Sequence, residues 1–168
     1  AISSITSGDV YQYLSGQQAF ERAIEADPNF AKAHWELAIF WDIQLTRANI
    51  YTGLAEVSRE DMAVSYQKAI DNAIRFDRDP VNVLMYKANK ATRDTKLTQS
   101  LRLITDYLEQ RPNDQAAQIE QLSTLGYLRR YDEAINAALA FFEQDGCDPI
   151  VAGMTLEILR YSDDSELQ

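Results

Sequence analysis

Tyr66, Ala69, Ile70, Ala73 and Phe76 recur at the same spacing as Tyr131, Ala134, Ile135, Ala138 and Phe141. This self-similarity constrains the fold more than any other feature of the chain. A weaker copy runs through Leu97, Ser100, Leu101, Ile104 and Tyr107, followed by Pro112, and an earlier one through Tyr13, Gly16, Phe20 and Ala23, followed by Pro28. Small and large apolar residues alternate at steps of three and four. That pattern places them on one face of a helix, with an Ala or Gly where a neighbouring helix comes close.

The breaks between the copies are equally regular. The four prolines, Pro28, Pro80, Pro112 and Pro149, each adjoin a polar residue, as in Asp27-Pro28, Asp79-Pro80, Arg111-Pro112 and Asp148-Pro149. Between them the period is helical, and no stretch alternates apolar and polar residues with β-branched enrichment, so strands are not expected. Helices are predicted from Val10 to Ala26, from Phe30 to about Tyr51 with Gly53 as a left-handed stop, and from a Ser58 cap to Phe76. Further helices follow at Val81 to Thr92, Leu97 to Gln110, a cap at Asn113-Asp114 to Leu128, Tyr131 to Gln144, and Asp148-Pro149 to Arg160. The polar tail from Ser162 to Gln168 is expected to fray.

At 168 residues the chain is long enough to bury a core without a metal or disulfide staple. Cys147 is the only cysteine, which rules out an internal disulfide and leaves cytoplasm and periplasm equally open. Sixteen basic against 26 acidic residues give a formal charge of −10. Nucleic acid is excluded as a partner, because a phosphate reader needs a basic footprint. No apolar run reaches eighteen residues, so membrane insertion by a helix is not expected. Ala1 shows neither an initiator methionine nor a signal-peptide layout, and the chain reads as a piece of a longer protein.

The stretch Phe20, Ala23, Asp27, Pro28, Asn29, Phe30, Ala31, followed by His34, Leu37, Ala38 and Trp41, resembles the tetratricopeptide repeat (TPR). Tyr131 to Ala134 is similar to the opening of that family's second helix. The resemblance covers about Tyr13 to Phe141 and implies an all-α fold: a right-handed α-solenoid of antiparallel helix-turn-helix repeats, with about eight helices in one domain spanning 1–168. The expected organisation is a half repeat at 9–28, repeats at about 30–80, 81–112 and 114–147, and a terminal helix at 148–161. The chain thus begins on a second-type helix and ends on an unpaired first-type helix. From Pro28 to Pro80 the spacing exceeds the family period of about 34 residues, which predicts an over-long hairpin between Gln44 and Tyr66. Tyr13-Leu14-Ser15-Gly16 ahead of the Asp27-Pro28-Asn29 turn resembles the TPR regions of bacterial signalling and regulatory proteins.

Catalytic chemistry finds little support in the residues. His34 is the only histidine, which defeats His-based metal sites and Cys-His dyads by count, and it occupies a packing position of the repeat. No phosphate loop or nucleophile elbow occurs. Asp77, Asp79 and Asn82 lack the spacing of a calcium loop and suit helix caps better. No enzyme activity and no cofactor are therefore expected. The resemblance implies instead a protein-interaction scaffold that takes a peptide or helix in a concave groove lined by first-type helices. The candidate groove residues are Trp35, Glu36, Ile39 and Asp42 on one helix, Met85, Tyr86, Asn89 and Arg93 on the next, and Ile119, Ser123 and Tyr127 on the third. With His34, Leu37, Ala38 and Trp41 turned to packing, Trp35 is expected to point about 100° away from His34. Only Asn89 and Arg93 match the family's carboxylate-gripping set, so a carboxylate clamp is not expected. The partner is a protein, a peptide or another domain of the parent chain, with weak homo-oligomerisation through exposed end helices as a further expectation. A stand-alone periplasmic assembly adaptor is the alternative.

Overall fold

The computed structural model describes residues 10–47, 57–146 and 148–166. Among these residues the chain is all-helical, with no strand. Eight helices are seen: α1 (Val10–Ala26), α2 (Ala31–Arg47), α3 (Arg59–Phe76), α4 (Pro80–Arg93), α5 (Leu97–Leu108), α6 (Gln115–Tyr127), α7 (Tyr131–Asp145) and α8 (Pro149–Glu166). The chain divides into two compact units, Ala1–Tyr86 and Lys87–Gln168. Their boundary falls inside α4.

Local chemistry explains most helix ends. Ser58 caps α3: its Oγ accepts from the Asp61 amide at 3.0 Å and donates to Asp61 Oδ2 at 2.7 Å. Asp114 caps α6 by accepting from the Ala117 amide at 3.1 Å, and Asp148 accepts from the Ile150 and Val151 amides at the start of α8. Each such bond satisfies an amide that the first turn leaves without a partner. Gly146 ends α7 at φ 78°, a backbone state that costs a glycine nothing.

Two turns are alike in detail. Thr95 follows α4 at φ 60° and Arg129 follows α6 at φ 57°. In each, the next amide reaches back five residues: Lys96 N–H to the Ala91 carbonyl at 2.8 Å, and Arg130 N–H to the Leu125 carbonyl at 3.0 Å. This is the Schellman closure of a helix end. The two turns stand 34 positions apart, which is the length of one helix-turn-helix repeat unit of the TPR class.

Within the first unit α1 packs on α2, and α2 on α3. The core there is Ala38, Phe40, Trp41, Leu45, Met62, Tyr66, Ala69, Ile70, Ala73 and Tyr86. In the second unit α5 packs on α6, α6 on α7, α7 on α8, and α6 also touches α8. Its core gathers Leu101, Leu122, Leu125, Ala134, Ala138, Phe141, Val151 and Ile158. The recurrent small residues, Ala69, Ala73, Ala134 and Ala138, are all buried, as the repeated helix face requires. Neighbouring helices that pack in chain order are consistent with a helical repeat.

Two expectations need adjustment. Helix α8 extends through Glu166, past its predicted end at Arg160. No glycine or proline interrupts 162–166, and Ser162 Oγ bonds back to the Leu159 carbonyl at 2.8 Å. Helix α5 stops at Leu108 rather than Gln110, with Gln110 N–H turning to the Tyr107 carbonyl. The predicted continuation of α2 to Tyr51, its stop at Gly53 and the tip of the long hairpin lie outside the described residues, as does Cys147. The helical flanks of that hairpin, up to Arg47 and from Arg59, are present.

Candidate functional site

The first-type helices of the sequence reading are α2, α4, α6 and α8. On α2, His34 is buried, its Nε2 donating to the Pro28 carbonyl at 2.9 Å and its ring 5.7 Å from Phe76. A histidine held this way is a packing residue. Trp35, one position on, is half-buried. Its indole stacks on the Tyr86 ring with centroids 4.5 Å apart and planes 27° from parallel. It therefore leaves the His34 face, as the helical step demands, yet it does not stand free: it packs against the edge of the first core.

Tyr86 is only 4% exposed. Its hydroxyl donates to Asp77 Oδ2 at 2.8 Å, and Asp77 also accepts from Asn82 Nδ2 and from the Asp79 amide. Tyr86 thus supports Trp35 from below rather than offering much surface of its own. The same bonds account for the acidic group at Asp77 and Asp79, which is spent on caps and turns; Asp79 Oδ1 accepts from the Val81 amide at 2.9 Å. Glu36, Ile39, Asp42 and Met85 are each half-buried. Glu36 pairs with Lys32 at 2.8 Å across one helical turn.

The second unit holds the remaining candidates. Asn89 and Arg93, on the last turns of α4, are half-buried and each engages a partner. Ile119 packs against the second core. Ser123 and Tyr127 come together at a cleft of about 530 Å³ between α6 and α8, which Tyr131, Met154, Glu157 and Tyr161 help to line. Tyr127 is 69% exposed there. The cleft offers aromatic faces, a thioether, a hydroxyl at Ser123 and one charge of each sign, at Arg129 and Glu157. Such a surface can hold an apolar or aromatic side chain while bonding a peptide backbone at its rim.

Met154, Glu157 and Tyr161 were not among the residues expected to bind. Their spacing along α8 is helical, but a terminal helix gives no sequence signal of the neighbour it will meet. Among the described residues, no group of three or more His, Cys, Asp or Glu side chains is placed to hold a metal ion, and no helix is long and apolar enough to cross a membrane.

The chain matches no protein-family model, no curated protein and no solved structure.

Proposed function

We propose that this chain is a protein-interaction module, a TPR-type right-handed α-solenoid of a larger signalling or regulatory protein. It acts by binding a peptide or helix along its first-type helices. The repeat assignment is supported by the two left-handed turns with the same hydrogen bonds, one repeat length apart. The binding role is carried by one observation above all. Tyr127, a large aromatic on a first-type helix, stands 69% exposed at the mouth of an apolar cleft. Exposed aromatics beside a concave apolar surface are preferred anchors for a partner.

Peptides selected from a random display library against the full chain supply ligands for the test. Tyr127→Ala should weaken their binding by about tenfold or more. Its thermal melt should match the parent, since little of the ring is buried. Peptides that bind the Tyr127→Ala and Met154→Ala variants as tightly as the parent would reject the cleft as the site. Failure to select any peptide would count against the role itself.

A further inference from the structure

The cleft between α6 and α8 is walled by tyrosines from different helices: Tyr127 ends α6, Tyr131 opens α7 and Tyr161 lies on α8. Those helices all touch one another, α6 with α7, α7 with α8, and α6 with α8. The cleft is therefore made by packing inside the second unit. Among the described residues, none of its tyrosine rings stacks on another ring or carries a cation, and none of their hydroxyls has a hydrogen-bond partner. Rings elsewhere are engaged: Arg111 lies over Tyr107 at 5.7 Å, Arg75 over Phe76 at 5.3 Å, and Tyr86 stacks on Trp35.

Two charges stand at the same cleft, Glu157 on α8 and Arg129 in the turn after α6. Neither forms an ion pair among the described residues. The chain carries a formal charge of −10, so its field draws a positive segment inward, with Glu157 as the local counter-charge. Arg129 opposes this at one edge. A purely apolar side chain would take water from the Glu157 carboxylate and the phenol hydroxyls and give them no partner in return. A guanidinium answers each of these groups. Its flat faces stack on tyrosine rings, its N–H edges donate to the carboxylate, to Ser123 Oγ and to the phenol oxygens, and its methylene stem lies on apolar surface.

We infer that the cleft receives an arginine side chain of a basic partner segment. This rests on the Tyr127 reading given above and names what the partner presents there. The floor leaves room for the stem, beside Met154 and Ile158. A Cβ on Gly126 would meet Ile158 Cγ1 at 3.6 Å and Cδ1 at 3.8 Å, which is ordinary contact. Packing against α8 thus does not demand a glycine, although glycine weakens a helix. Its missing side chain keeps the floor one methyl deeper.

Peptides selected by display against the full chain are the probes. Those that lose binding to Tyr127→Ala should share an arginine. Replacing it by citrulline, an uncharged isostere, should weaken binding by about tenfold or more. Lysine in its place should recover only part of that loss. Glu157→Gln should weaken the arginine peptides by about fivefold, and Arg129→Gln should strengthen them by about twofold by removing a like charge. Gly126→Ala should lower affinity while the melting temperature stays at or above the parent's. Tyr127-dependent peptides without arginine, or citrulline peptides that bind as tightly, would overturn the inference and leave the cleft standing as a site. Weakening by Arg129→Gln would overturn it in favour of an acidic occupant, and self-association of the parent that Tyr127→Ala disperses would do so in favour of a second copy. Arginine peptides indifferent to Tyr127→Ala would reject the cleft itself, and a library that yields no binder would overturn both readings.

Discussion

Trp35 and Trp41 lie on one helix and meet different surroundings. Trp41 is buried, edge-on to Phe40 with ring centroids 5.0 Å apart, and its removal leaves a cavity the small residues around it cannot fill. Trp41→Ala should cost about 3–5 kcal/mol. Trp35 is half-buried and stacked on Tyr86. From sequence, its loss would be expected to leave stability unchanged. The stacking alters that: Trp35→Ala should cost about 0.5–1.5 kcal/mol beyond the area it exposes, and clearly less than Trp41→Ala. Urea titrations of the two variants check the order, and an equal loss in both would mean that the two indoles share one core.

At the scale of elements, the turns and junctions carry the specificity. Thr95 holds a left-handed backbone at φ 60° despite its branched Cβ, a conformation most costly for such residues. Its hydroxyl, bonded to the Asp94 carbonyl at 2.6 Å, offsets only part of this. Thr95→Gly should therefore stabilise the chain by about 0.5–1 kcal/mol, after allowing for the greater freedom glycine gives the unfolded state. Arg129→Gly, at an unbranched residue, should gain less; a loss of stability in Thr95→Gly would show the turn is held by its side chain.

The α5–α6 junction is tied by Tyr107, whose hydroxyl donates to Asp114 Oδ2 at 2.5 Å while Asp114 Oδ1 caps α6. Burial, and then the adjoining Asp114 carboxylate, push the Tyr107 phenol above its ordinary value of 10.0. A phenol whose pKa is raised on folding stabilises fully below the unfolded value. That contribution is lost as pH climbs through the raised one. Chemical unfolding followed from pH 8 to about pH 11 should show the parent losing more stability above pH 10 than Tyr107→Phe does. Parallel curves for the two would remove the junction from the alkaline response.

Over the whole molecule, the described helices, their order and the caps at Ser58, Asp114 and Asp148 were legible from the sequence. These depend on neighbours three to five residues apart: an Asp before a Pro, a Ser three residues ahead of an Asp, apolar residues recurring at helical steps. The buried faces of α3 and α7 were legible for the same reason, since a repeated small residue marks close packing wherever it recurs. Tertiary structure alone decided the rest. Tyr86 on α4 meets Trp35 of α2, more than fifty positions earlier, and no local pattern could say that the first ring would be buried while the second rides on it. Met154, Glu157 and Tyr161 joined Ser123 and Tyr127 only because α8 returns alongside α6. Nor could periodicity distinguish Leu122 from Leu156, which occupy the same place in the pattern and differ in exposure from 2% to 68%. Burial of an apolar face depends on whether another helix arrives to cover it, and that is a property of the packed chain rather than of any segment within it.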